Sequence, residues 1–328
     1  MPNLYSEDRL RLAARLYYID GLGQSEVAKF VKVSQAKVSR LLALARERGI
    51  VRITVADYEP RHTELEAQIR SRLGLSTVVV IKAFEGLADT DLRKAVGHFA
   101  SNALNALIKP GDIVALAGGR TIYELVQHLP EPRNKALTVV QAMGSVDSNV
   151  SSFDAQEVGR VVAQRLGGSF LALNAPAYIA EKRTRDALLK LPQVRSVHEH
   201  LGRAQVAIVG LGTLENSVFV ERGALDPEAV AELREAGAVG EICGRFFDRS
   251  GTECDTLWRD QVMSVDAEQL RNIPQVIGVV SGNDRSEAIA AAIRGKLLKG
   301  LVIDETGAAA LLAATTPTSR PKARSRKK

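Results

Sequence analysis

The sequence predicts an α/β protein: a mostly parallel sheet with helices on both faces, preceded by a small all-helical head. Three observations carry this. From residue 77 onward, short β-branched-rich runs alternate with stretches of helical period, the pattern of a parallel sheet covered on both sides. The first 55 residues instead show three helical faces in succession. At 328 residues the chain exceeds the ~100–200 of one ordinary domain, so two units are expected.

The head is read element by element. Leu10, Leu12, Ala13, Leu16, Tyr17 and Ile19 form an apolar face that ends at Gly21. Ser25 is placed to cap a second helix through Val31, and Ser34 a third, whose apolar positions are Val38, Leu41, Leu42 and Leu44. Gly49 stops that helix. Val51, Ile53 and Val55 then alternate with polar residues, the period of a half-buried strand. That strand is either a wing or a plain connection. Residues 61–73 read as a charged helix with Leu65, Ile69 and Leu73 spaced by four, a linker or dimer contact.

In the body, the strands expected are VVVI, DIVALAGG, LTVVQAMG, SFLALNAP, QVAIVGLG, QVIGVVSG and GLVIDE. Helices are expected at 89–108, 121–129, 154–166, 182–190, 227–236 and 285–294. The ending TTPTSRPKARSRKK has no hydrophobic pattern and reads as disordered.

Charge sharpens the division. Residues 1–58 carry ten Lys/Arg against six Asp/Glu, and 318–328 carry six basic residues and no acid. The remainder has 28 basic and 32 acidic residues. Basic ends around a mildly acidic body point to a polyanion partner, with nucleic acid the leading candidate. Apolar runs fall far short of the ~20 residues that cross a bilayer, and the N-terminus has no secretory h-region, so a cytoplasmic protein without a membrane partner is expected. Two cysteines, Cys243 and Cys254, are too few for a disulfide framework or a four-thiolate zinc site. His198 and His200 read as surface histidines, and no metal or cofactor is expected.

The segment GLGQSEVAKFVKVSQAKVSRLLALARERGIV has the layout of a helix-turn-helix. Ala28 is small where the helices cross, Val33 plugs the turn, and Val38 packs the second helix on the first. Gln24 and Ser25 open the first helix of the pair. Ser34, Gln35, Lys37, Ser39 and Arg40 lie at the start of the second, where its N-terminal residues approach base edges in a major groove. Glutamine pairs with adenine and arginine or lysine with guanine, while other basic groups hold phosphate.

In the body, glycines follow strands. Gly118 and Gly119 precede Thr121 at a helix start, where free N–H groups and the helix dipole suit an anion. Gly210, Gly212 and Thr213 repeat that chemistry, and Gly144 with Ser145 forms a third such turn. Ligands collect at the carboxyl ends of parallel strands, so a small anionic ligand is expected there. Neither GxxxxGK[ST] nor GxGxxG is present. Asp248 and Asp304, at strand ends, bind hydroxyls or act as a base; Asp304 reads equally well as a helix cap.

With these motifs in view, LYYIDGLGQSEVAKFVKVSQAKVSRLLALARERGIV resembles the head of the SorC family of sugar-responsive bacterial transcriptional regulators. GGRTIYELV, VVQAMGSV, VAIVGLGT, EICGRFFDRSG, LRNIPQVIGVVSGNDRSEAIAAAIRG and VIDETGAA resemble its sugar-binding domain, in the family's order over roughly residues 8–313. The resemblance implies a fold like the sugar-phosphate isomerase and CoA-transferase group, used as a sensor. It also implies homo-oligomers, dimers or tetramers, whose operator affinity is switched by a phosphorylated sugar or related polyol. By motif, Gly119, Arg120 and Thr121 hold phosphate, and Gln156 and Asp248 lie near the sugar. Arg285 stands where the family usually has lysine and pairs bidentately rather than as a point charge. Ser145 replaces a second glycine, and no lysine there forms a Schiff base.

The domains expected are then a DNA-binding head at 1–57, a linker or dimerisation helix at 58–75, an effector-binding and oligomerisation domain at 76–315, and a basic tail at 316–328. A competing reading is a sugar-phosphate isomerase or deaminase carrying a DNA-binding head. Such an enzyme needs a base beside the substrate carbon, and no carboxylate pair stands out.

Overall fold

A computed structural model describes residues 6–84, 86–130 and 135–316. The chain divides into two compact units at Tyr58 and Glu59. Apart from Thr316, the basic tail lies outside the described residues.

In the first unit, α1 (Glu7–Ala14) runs into a π-helical turn, Arg15–Ile19, followed by α2 (Gln24–Phe30) and α3 (Gln35–Glu47). Leu10, Val27, Val38 and Leu41 meet at its centre, each fully buried. Ser34 caps α3, its Oγ accepting the Lys37 N–H at 3.4 Å. The expected cap on α2 is corrected: Gly23 holds the cap position, and the Glu26 carboxylate accepts its N–H at 2.9 Å. Ser25 falls inside the first turn, because a glutamate three residues on satisfies the earlier residue instead. The strand expected over Val51–Val55 does not form. Ile53 and Val55 are exposed, and among the described residues of this unit no other strand offers them a ladder.

The second unit opens with α4 (Thr63–Leu73). This is the segment read as a linker or dimer contact, and it packs on the sheet through buried Ile69. Glu66, 1% exposed, accepts bonds from Arg61 (2.6 and 2.8 Å) and from the Val80 N–H (3.1 Å), so a buried carboxylate ties the helix to the first strand.

The elements that follow are β1 (Thr77–Ile81), α5 (Asp89–Leu107), β2 (Ile113–Leu116), α6 (Arg120–Gln127), β3 (Thr138–Gln141), α7 (Ala155–Leu166) and β4 (Ser169–Leu171). Next come α8 (Lys182–Leu189), α9 (Pro192–Leu201), β5 (Val206–Val209), α10 (Val218–Glu221) and α11 (Pro227–Glu235). The chain continues through β6 (Gly240–Ile242), β7 (Arg245–Phe247), α12 (Ala267–Asn272), β8 (Gln275–Val279), α13 (Ser286–Arg294), β9 (Gly300–Asp304) and α14 (Glu305–Ala314).

Seven parallel strands form one sheet in the order β1-β9-β8-β5-β2-β3-β4. Val206–Val209 is buried throughout, as a strand covered on both faces must be. From β2 the chain winds outward through β3 and β4; from β5 it winds the other way through β8 and β9. β2 and β5 are neighbours, so the winding reverses between them and a crevice opens beyond their carboxyl ends.

β6 and β7 form a separate antiparallel hairpin that the strand pattern did not announce. Its two-residue turn, Cys243-Gly244, has φ of 53° and 77°, the left-handed pair of a type I′ turn. Under the hairpin, Trp258 packs on Phe219 and Tyr178 and donates its indole N–H to the Gly244 carbonyl at 2.7 Å. His198 and His200 are corrected from surface positions to half-buried ones, since α9 lays this face on the core. Burial lowers the pKa of His198. Among the described residues, no helix is long and apolar enough to cross a membrane.

Candidate functional site

Gly118 and Gly119 follow β2 at the point where the winding reverses. A Cβ on Gly118 would lie 2.7 Å from the Phe153 carbonyl oxygen and the Ala155 nitrogen, so only glycine fits between β2 and the start of α7. Gly119 has φ of 144° and donates its N–H to the Phe153 carbonyl at 2.8 Å. The N–H groups of Arg120, Thr121 and Ile122 then open α6 without intrahelical acceptors.

Around them lies a cleft of about 190 Å³. That is near the ~150 Å³ of an engineered cavity that holds benzene, so it suits one small ring-sized metabolite. Gly210 and Gly212, after β5, line it. Thr121 Oγ1 is 3.3 Å from Ser281 Oγ, at the end of β8. Arg285 donates to the Ser281 carbonyl (3.0 Å) and to Asp284 (2.6 Å), and Asn216 holds the other Asp284 oxygen at 2.9 Å.

The opposite wall is the hairpin. Glu241 exchanges backbone hydrogen bonds with Gly212 at 2.9 and 3.0 Å, and its carboxyl accepts the Gly244 N–H at 2.5 Å. Burial drives its pKa up, against the opposing pull of the Gly244 N–H and the Ser217 hydroxyl. A carboxyl that keeps its proton there donates a hydrogen bond as well as accepting one. Burial likewise pushes the neighbouring Cys243 thiol up, away from thiolate.

At the mouth, Arg120 pairs with Glu221, and Arg222 pairs with Asp154 at 2.8 Å. The two guanidinium carbons sit 5.5 and 5.7 Å from the centre of the Phe153 ring.

Of the residues expected from sequence, Gly118, Gly119, Arg120, Thr121, Gly210, Gly212 and Arg285 converge on this cleft. Gly144, Ser145, Gln156, Thr213, Asp248 and Asp304 do not line it. A Cβ on Gly144 would meet the Ala175 carbonyl at 2.5 Å, a close chain crossing, and Ser145 donates its N–H to that carbonyl. Thr213 accepts from the Asn216 N–H within its own turn. Asp248 accepts the Ser250 and Thr252 N–H groups and holds a turn after β7. Gln156 is half-buried in α7, one residue beyond the cleft wall. Asp304 is the helix cap: one oxygen takes the Gly307 N–H at 3.0 Å and the Thr306 hydroxyl, the other the Gly282 N–H at 2.6 Å.

Glu241, Glu221, Phe153, Asp154 and Ser281 were missed. Ser281 was findable, because VVSG repeats the strand–glycine signature already used. Glu241 and Glu221 reach the cleft only through the hairpin and α10, which no period announced.

In the head, Ser25, Ser34, Gln35, Lys37, Ser39 and Arg40 are exposed and Gln24 is half-buried. Among the described residues, Lys37 and Arg40 make no ion pair. Their helix turns its other face, Val38, Leu41 and Leu42, inward.

A family of sugar-binding domains, Sugar-bind, matches residues 60–313. The transcriptional regulator YjhU of Escherichia coli K12 is 30% identical over 320 residues, spanning 96% of this chain and 97% of its own length. The deoxyribonucleoside regulator of Bacillus subtilis 168 is 28% identical over 302 residues, 92% of this chain and 96% of its own. The full-length sorbitol operon regulator SorC of Klebsiella pneumoniae superposes with a TM-score of 0.75 at 25% identity, covering 94% of this chain and 99% of its own. The class is that of transcriptional regulators built on a sugar-binding domain. The chain belongs to that family, as a regulator of the SorC type.

Proposed function

We propose that the protein controls a carbohydrate-utilisation operon in the cytoplasm, and that a phosphorylated sugar or related polyol in the cleft switches its operator affinity. The observation that carries this reading is the start of α6 at the β2/β5 crevice. Its three free N–H groups, the Thr121 hydroxyl and the Arg120 and Arg285 guanidiniums gather donors for one anion. Glu241 and Ser281 supply hydrogen bonds of the kind sugar hydroxyls require. The relatives' names include sorbitol, a polyol, and deoxyribonucleoside, a base joined to a sugar.

In this reading α2 and α3 act as a helix-turn-helix, with α3 in the major groove of a double-stranded operator. The protein works as a homo-oligomer, so two heads meet two half-sites. It is a sensor rather than an isomerase or deaminase, a view supported by relatives named as regulators.

The test is a titration of sugar phosphates and free polyols against the protein on a labelled operator selected from random DNA. Thr121→Val removes one hydroxyl at nearly constant volume, and losing a charge-assisted hydrogen bond costs ~1.5–3 kcal/mol. The effector midpoint should rise roughly ten- to a hundredfold, with effector-free operator affinity barely changed. An unchanged midpoint would place the ligand elsewhere. Turnover of a sugar phosphate would instead favour the enzyme.

A further inference from the structure

The Arg120 guanidinium, placed by the reading above among the anion's donors, is already taken. One of its terminal nitrogens donates to both oxygens of Glu221, at 2.5 and 2.7 Å. A carboxylate that engages an arginine in this way presents the same oxygen acceptors as a phosphate. Glu221 therefore occupies the place of the incoming anion on that side of the cleft.

The backbone that carries Glu221 is held in place. It ends α10, whose Phe219 is fully buried and whose first turn is capped by Ser217. The next residue, Arg222, has a side chain only 13% exposed and is bonded to Asp154 at 2.8 Å and to Ser151 at 2.9 Å. Arg120 and Arg222 both lie against the Phe153 ring, so the two guanidiniums are held near one another. Only the Glu221 side chain, half exposed, is free to swing aside.

We propose that Glu221 is a specificity-determining residue, an internal competitor that every anion must displace from Arg120 before it binds. This inference rests on the assignment of the cleft as an anion site. Its consequence is a threshold. A bare inorganic anion gains only the donors at the start of α6 and Arg285, and must pay for displacing Glu221 out of that gain alone. A sugar phosphate adds hydroxyl contacts along the Glu241 wall and crosses the threshold at lower concentration. The ion pair is exposed on both sides, so its weight is modest, as surface pairs are.

The experiment is calorimetric titration of inorganic phosphate into the full chain, comparing wild type with Glu221→Gln, Arg120→Gln and the double variant. At position 221 glutamine keeps the volume and removes the charge, and thermal melts without ligand report folding. Glu221→Gln should bind phosphate about two- to fivefold more tightly than wild type, the range of an exposed ion pair. In the Arg120→Gln background the same substitution should bring no gain, because the contact competed for is gone. Equal phosphate affinity of wild type and Glu221→Gln overturns the competitor and leaves the anion site standing. An equal gain in both backgrounds also overturns it, since Glu221 would then act as a diffuse charge. Phosphate binding by neither chain overturns the anion site and the competitor together.

Discussion

Asp304 shows how a residue at a strand end serves the cleft without entering it. It is fully buried, and its oxygens take the Gly307 and Gly282 N–H groups and the Thr306 hydroxyl. The Gly282 bond fixes the turn that carries Ser281 to Thr121. Asp304→Ala removes a helix cap and leaves a buried N–H unpaired, so it should cost about 2–4 kcal/mol in urea denaturation. Glu241 makes a second prediction at this scale. Burial raises its pKa above the ordinary 4.5, so the folded chain keeps a proton that the unfolded chain releases. The stability this contributes is complete below pH 4.5 and is lost as pH rises, until the folded carboxyl itself ionises. Glu241→Gln carries no such proton, so its melting temperature should fall less than that of wild type as pH rises above that value. Parallel pH dependence of the two melts would show that Glu241 is ionised at the same pH in both states.

The element on which the proposed DNA recognition depends is α3. Its sequence already contained the cap, the buried positions Val38, Leu41 and Leu42, and an outer face with Lys37 and Arg40. Each of those is local, set by a 3.6-residue period and one hydrogen bond that Ser34 accepts from Lys37. Lys37→Ala and Arg40→Ala should each weaken operator binding, by ~1–3 kcal/mol where the side chain makes a bidentate base contact. Unchanged affinity in both, measured by fluorescence anisotropy on folded protein, would remove α3 as the reading helix. Period alone misjudged three elements, each for its own reason. Val51–Val55 alternates like a strand but lacks a partner, and α14, ETGAAALLAA, is apolar on nearly every side and shows no face. The β6–β7 hairpin is only three residues a side, and Glu241 also pairs with Gly212 outside it.

For the whole molecule, charge is concentrated at the ends. The six basic residues of 318–328 lie outside the described residues, yet their effect on binding follows from composition. Ending the chain at Thr316 should flatten the dependence of log K on log salt, by up to about five units of slope if every charge meets a phosphate. Sequence preference should be unaltered. Identical slopes for the two chains would mean that the tail takes no part.

Sequence by itself determined the strands of the parallel sheet, the glycines that end them and the helices of the head, because each answers to neighbours within a few residues. It also placed Gly118, Gly119, Arg120 and Thr121 together, since they are consecutive. Tertiary structure decided which turns share a cleft. Gly210 and Gly212 join Gly118 because β5 lies beside β2, a pairing across some ninety residues that no local period encodes. Gly144, Ser145 and Thr213 carry the same local signature but turn away, where close chain crossings and turn bonds absorb them. Asp304 and Asp248 were ambiguous for the same reason: a carboxyl at a strand end binds whatever donors the fold brings, and here those donors were backbone N–H groups. Glu241 and Glu221 became part of the site only when the hairpin and α10 were folded over the crevice. Local propensity sets the elements, and long-range packing decides which of their ends meet.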